Sequence, residues 1–311
     1  MTIYIFRRLL QVIPVLFGVT LIVFLMIRLK GDPVQQLVPD WYSEAQVAEV
    51  RAAYGFDRPI YVQYFEFISR AVRGDFGLSF HNRVPAWELV REALPWTARL
   101  ALTAFAIAVV VALPLGILSA LNRNTPLDLV VTGLSVWGRS LPNFWLGIMF
   151  ILLFAVALRW FPVSGTGTFS GLPLWKHLFL PALTLSMGLV TTLTRLIRSS
   201  MLEVMREEHV TTAYAKGLRH FTVIGRHVLR NALIPVVTVL GLQLAWLLGG
   251  AVIIEQVFAW PGMGRLMLQA IYARDNSVVQ AALLVSSLVI VFSNLIVDLL
   301  YSVLDPRIRY S

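Results

Sequence analysis

Residues 97–121 read TARLALTAFAIAVVVALPLGILSAL, with Arg99 the single charged residue in the run. Apolar runs of twenty or more residues are read as membrane-spanning helices. The whole chain fits that reading: of 311 residues, 58% are hydrophobic and only 14% are charged, where an average soluble chain is about a quarter charged. A soluble core could bury much of this surface, but it would not gather the apolar residues into runs of this length.

Before this run lies another, at 9–29, preceded by Arg7 and Arg8. It is too long for the h-region of a signal peptide, and no small-residue cleavage site follows it. It is read as an uncleaved first span with a cytoplasmic N-terminus. Between the two runs the composition turns mixed. Ser43 followed by Gln46 is a capping box, Gly55 a helix stop, and Pro59 the start of a second short helix reaching about Arg73. This extracytoplasmic segment is small and weakly apolar, and is expected to rest on the spans.

After the run, Thr125, Pro126 and Asp128 mark a helix start by cap, first-turn proline and acid. The third span runs from there to about 161, with Pro142 inside it to kink or divide it. Spans four, five and six are expected at about 178–199, 232–254 and 281–302. The sequence therefore predicts an all-α polytopic membrane protein with six transmembrane helices and both termini cytoplasmic. Its parts are 1–96 (first span and extracytoplasmic segment), 97–302 (a five-helix core with a cytoplasmic loop at about 201–231) and 303–311 (a cytoplasmic tail).

The positive-inside rule tests the orientation. Arg7, Arg8, Arg123, Arg198, Arg206, Lys216, Arg219, Arg226, Arg230, Arg307 and Arg309 fall on the proposed cytoplasmic side. The net charge of +9 thus sits at membrane boundaries, and a nucleic-acid partner is not implied.

The chain has no cysteine, which excludes disulfides, thiolate metal sites and a cysteine nucleophile. It has no phosphate-binding G-x-x-x-x-G-K-[ST] loop, so it should not bind ATP itself, and no H-E-x-x-H or G-x-S-x-G motif. None of the five histidines forms an i, i+4 pair, so they are read as solvated loop residues, with no metal and no cofactor expected. An enzymatic reading has little support.

The loop before span five is the informative one. A helix is expected up to about Lys216, a break at Gly217, and a second helix leading into the span. Ala213, Ala215 and Gly217 are small, and a helix end with small side chains can approach another protein closely; an ordinary solvated surface helix has the same composition. This loop resembles the "EAA loop" of permease subunits of ATP-binding-cassette importers, whose pattern is E-A-A, three residues, Gly, nine residues, I-x-L-P. Gly217 takes the glycine position and Ala213 the second alanine, while Thr211 and Thr212 replace the glutamate and first alanine. Ala213-Tyr214-Ala215-Lys216-Gly217-Leu218, followed by His227-Val228-Leu229-Arg230-Asn231-Ala232, is similar to the variant in the dipeptide and oligopeptide permease group. Further similarities to the first permease subunit of that group lie at Gly31-Asp32-Pro33, Gly55-Phe56-Asp57-Arg58-Pro59, Gly74-Asp75-Phe76-Gly77, residues 255–265 and Asp305-Pro306-Arg307.

The resemblance implies a type I importer permease fold in a bacterial inner membrane. It implies a second permease subunit, two ATP-binding ATPase subunits and an extracytoplasmic substrate-binding protein as partners. The segment Ala213, Tyr214, Ala215, Lys216, Gly217 and Leu218 would then dock into an ATPase groove. Peptides are the leading substrate class, with glutathione, nickel complexes or oligosaccharides moved by similar permeases. A secondary carrier or channel acting without ATPase partners is the rival reading; it gives no reason for this loop.

Among the charges within spans, Arg139 and Asp298 are singled out. Arg139 is read as a group lining the pathway or pairing with an acid of the partner permease, since a charge inside the membrane needs a partner or water. Asp298 is read as half of a structural pair with a basic residue such as Arg195. Trp96, Trp160, Trp175 and Trp260 lie near expected boundaries and read as interfacial anchors.

Overall fold

The computed structural model describes residues 2–29, 34, 38, 41–53, 55–167 and 171–304; of these, the side chains of 2–9, 26–29, 139, 244–246, 248, 250 and 298–304 lie outside the description. The described chain is helical, and its one β contact is an isolated bridge between Leu78 and Pro85. The helices are α1 (Thr2–Leu29), α2 (Glu44–Ala53), α3 (Ile60–Val72), α4 (Ala86–Leu121), α5 (Pro126–Ser140) and α6 (Asn143–Phe150). They continue with α7 (Leu174–Val204), α8 (Glu208–Ala215), α9 (His220–Thr222), α10 (Arg230–Gly250), α11 (Val252–Val257), α12 (Met263–Tyr272) and α13 (Asn276–Leu304). Two π-helical stretches, Ile151–Ala157 and Val223–Leu229, extend α6 and join α9 to α10.

Among the described residues, four helices are long and apolar enough to cross a membrane: Ala86–Leu121, Leu174–Val204, His220–Gln243 and Asn276–Val297. The third expected span is divided. Pro126–Gly138 and Asn143–Ala157 meet at 107° and make a fifth crossing if counted as one broken span. Leu141 and Pro142 sit in extended conformation between them, where proline removes a backbone donor and biases its predecessor away from the helix.

Local signals explain the short helices. At α2 the Ser43 N–H donates to Gln46 Oε1 (2.9 Å) and the Gln46 N–H to Ser43 Oγ (3.4 Å), a reciprocal capping box. Thr125 precedes α5 but its hydroxyl does not cap it; it donates to the Asn122 carbonyl at 2.7 Å. The turn is held instead by Asp128, whose Oδ2 accepts the Asn124 N–H at 2.9 Å.

Two compact units emerge, one built on Met1–Leu94 with Leu266–Leu295, the other centred on Pro95–Arg265. In the second, α7 forms the middle. It buries Leu180, Leu185, Leu189, Leu193, Ile197 and Met201. Against this core α4 contributes Ala101, Ala104, Ala108 and Ala112, all fully buried. Small residues on one stripe let membrane helices approach closely. At Gly116 the approach leaves no room for a side chain: a Cβ there would lie 2.7 Å from Ile197 Cβ. In the first unit, α3 packs on α1, and Asp275 joins the 79–81 turn to α13. Its carboxylate accepts the Ser79 hydroxyl (2.5 Å) and the N–H groups of His81 (3.3 Å) and Val278 (3.3 Å).

Candidate functional site

The loop between α7 and α10 folds into a compact hairpin. Glu207 and Glu208 open α8, where acids complement the helix dipole. The helix ends in a Schellman motif: the Gly217 N–H bonds to the Tyr214 carbonyl (2.9 Å) and the Leu218 N–H to the Ala213 carbonyl (3.4 Å). Gly217 has φ +74°, a left-handed conformation that side chains disfavour, and nothing lies within 4 Å of where its Cβ would be. It is there for its backbone, not for space.

The hairpin has an inside and an outside. Val210 and Ala213 face inward, buried in the cluster that also holds Val223, Ile224 and Val228. Of the six residues singled out in the sequence, Ala213 is therefore a packing residue, while Tyr214, Ala215, Lys216, Gly217 and Leu218 are exposed. The Tyr214 hydroxyl lies 2.8 Å from His220 Nδ1, and the two rings stack at 6.1 Å. Sequence reasoning passed over Phe221, which is 88% exposed. Tyr214, Leu218 and Phe221 are exposed apolar side chains of this hairpin, accompanied by exposed Lys216, Arg219, Arg226 and Arg230. At the opposite end His209 pairs with Glu207 at 3.0 Å and reaches Asn231 Nδ2 at 3.2 Å.

Arg139 and Asp298 lie on α5 and α13, and their side chains fall outside the described residues. The structure instead displays a pair that the sequence did not suggest. Arg198 on α7 donates from Nε and Nη2 to the two oxygens of Asp128 on α5, both at 2.7 Å. Beside it an open cleft of about 490 Å³ is lined by Thr132, Thr192, Arg195, Leu196, Arg198, Ser199 and Val239.

A second unforeseen cluster surrounds Glu255, fully buried on α11. Its carboxylate accepts the Thr97 hydroxyl (2.5 Å) and the N–H groups of Gly264 (2.8 Å) and Arg265 (3.0 Å) at the start of α12. Burial is the main cause that raises this carboxyl above its ordinary 4.5, opposed by those three hydrogen bonds. Trp260 is not an interfacial anchor as expected: it is fully buried, donates from Nε1 to the Trp96 carbonyl at 2.9 Å and meets the Trp96 ring edge-on. His177, expected to be solvated, is also buried, with Nδ1 3.2 Å from the Ser164 carbonyl. Among the described residues no three His, Asp or Glu side chains gather into a metal-binding group.

Residues 112–310 match the family described as binding-protein-dependent transport system inner membrane component, and residues 1–101 its N-terminal membrane component. The oligopeptide transport system permease protein AppB of Bacillus subtilis (strain 168) is 38% identical over 316 residues, covering 100% of both chains. The glutathione transport system permease protein GsiC of Escherichia coli (strain K12) is 41% identical over 309 residues, covering 99% of both. Among solved structures, the inward-facing MetNI methionine ABC transporter is similar at 20% identity, with a TM-score of 0.58 over 70% of this chain and 96% of that one. An amino acid ABC transporter solved with histidines gives 14% identity and a TM-score of 0.54 over 69% and 94%. These likenesses establish the fold as that of ABC transporter membrane subunits.

Proposed function

We propose a mechanism from one premise: this chain belongs to the binding-protein-dependent transport system inner membrane component family and is a permease subunit of an ATP-binding-cassette importer. In this reading it forms half of a path for peptides or glutathione-like solutes, the classes named for AppB and GsiC. The other half is a second permease. Two ATPase subunits drive the pair, and an extracytoplasmic binding protein delivers the substrate. The chain crosses the bacterial inner membrane six times with both ends cytoplasmic. The stretch 1–96 supplies the first span and the outer segment, 97–302 the core with its loop at 201–231, and 303–311 the tail. Arg139 and Asp298 serve as charges of the path or of the contact with the second permease.

The observation that carries this reading is the exposure of Tyr214, Leu218 and Phe221 on a hairpin whose α8 buries Val210 and Ala213 against the core. The segment from Tyr214 to Leu218 docks on an ATPase subunit, and Ala213 fastens it to the permease. ATP draws the ATPase pair together and carries the docked hairpins with it, which changes the side to which the path opens. ATP achieves this only by binding one arrangement more tightly than the other.

The test is Gly217→Arg beside Leu218→Asp in the assembled transporter. Both variants should reach the membrane in normal amount, and uptake should no longer follow ATP hydrolysis. Substrate-stimulated uptake at the normal rate in both would sink the docking assignment.

A further inference from the structure

Helix α3 belongs by sequence to a segment outside the membrane, yet its contacts with α1 lie deep. Tyr64, 6% exposed, has its hydroxyl 2.8 Å from Thr20 Oγ1, and it donates to the Phe17 carbonyl at 3.3 Å. Its ring meets Phe17 and Phe24 edge-on at 5.8 and 5.2 Å, and Phe67 lies 5.8 Å from Phe24. Phe17, Thr20 and Phe24 stand well inside the apolar run that begins at residue 9. Counted from its outer end at residue 29, at ~1.5 Å per residue, they lie about 8 to 18 Å into a hydrocarbon layer ~30 Å thick. A helix fastened at those positions is not held above the bilayer.

We propose that α3 lies in the outer leaflet and presents its second apolar face to lipid acyl chains; this rests on reading α1 as the first span. That face is a stripe at helical spacing: Tyr61, Phe65, Ile68 and Val72. Tyr61, Phe65 and Val72 are 63%, 66% and 82% exposed. On α1, Ile13, Phe17 and Ile22 are also exposed. A soluble partner does not reach this depth.

The polar groups of the segment are arranged for the same setting. Gln63 Nε2 donates to the Phe56 and Arg58 carbonyls at 3.2 and 2.6 Å, so these two carbonyls ahead of α3 are satisfied without water. Arg58 is paired with Glu66. Arg70 and Arg73 are exposed at the far end of the helix, where long stems let the guanidinium groups reach the headgroups.

The chain contains no cysteine, so a nitroxide can be placed at will once the partner subunits are cleared of theirs. Phe65→Cys on α3 and Ile22→Cys on α1 are labelled in the assembled transporter in lipid nanodiscs. Collisions with dissolved oxygen and with a water-soluble nickel chelate are then compared by electron paramagnetic resonance. Oxygen several-fold favoured over nickel at both positions is the expected result. Nickel favoured at 65, with 22 still in lipid, would place α3 in water and overturn the inference alone. Low collision with both reagents at 65, with 22 in lipid, would show a protein cover and overturn it equally. Nickel favoured at 22 would remove the first-span reading and the inference with it.

Discussion

Removing Arg198 while leaving Asp128 in place should be among the most damaging single changes in the core. The Asp128 side chain is 5% exposed and that of Arg198 26%. The carboxylate accepts both guanidinium bonds, and also the Ser119 hydroxyl, the Asn124 N–H (2.9 Å) and the Thr132 hydroxyl (3.4 Å). Arg198→Met keeps most of the stem and removes the charge. Breaking a buried pair by deleting one partner costs about 3–5 kcal/mol. Partial exposure of the arginine and the three surviving donors put this case near the lower limit, about 3 kcal/mol, a more than hundredfold shift in the folding equilibrium. Asp128→Asn combined with Arg198→Met leaves no stranded charge and should cost about 1 kcal/mol, so the two changes should couple by about 2 kcal/mol plus whatever Asp128→Asn costs alone. The assay is a double-mutant cycle on reversible unfolding in mixed detergent. A single variant within about 0.5 kcal/mol of the native chain, the range of an ordinary surface change, would refute the reasoning; so would a double variant equal to the sum of the singles.

Three other outcomes are expected. A carboxyl raised by burial makes the folded chain bind more protons than the unfolded one, so its contribution to stability falls as pH climbs from the ordinary 4.5 through the raised value. Glu255→Gln should flatten that slope in unfolding midpoints measured from about pH 5 to 8, and slopes parallel to the native chain would contradict this account. Gly264→Ala places a Cβ 2.6 Å from Val252 Cα, a backbone atom that cannot swing aside; overpacking by about 1–3 kcal/mol or more should appear as a lowered melting temperature in detergent. Gly133→Ala, on a helix with nothing within 4 Å, should melt no lower than the native chain in the same assay.

Signals written in neighbouring residues were legible. The capping box of Ser43 and Gln46, the stop at Gly217 and the division at Pro142 each depend on a few adjacent positions, and period and composition reveal them. Pairings across the fold were not. Arg198 counted as one more boundary arginine, because nothing in a separation of 70 residues links it to Asp128. Nothing local marks Gly262 either: a Cβ on it would meet Glu255 Oε1 at 2.1 Å, so crowding dictates the residue. Ala213 was read as one of a set of small residues available to a partner. Only the packing against Val223, Ile224 and Val228 tells which side of α8 is spoken for. Trp260 shared the composition of a boundary aromatic, and only its contact with Trp96 separates it from exposed Trp160 and Trp175.

The bond between Thr97 and Glu255 joins residues 158 positions apart. A ribosome working at about 5–20 residues per second needs roughly 8 to 32 seconds to travel from one to the other. Throughout that interval the Thr97 hydroxyl on α4 has no carboxylate to meet, and the helices between are already being handed to the membrane. When Glu255 does emerge it can shed its water only if Thr97 is waiting and the first amides of α12 follow within ten residues. The cluster is therefore completed late in synthesis, and a chain with a misplaced earlier helix leaves the Glu255 carboxylate without its hydroxyl partner.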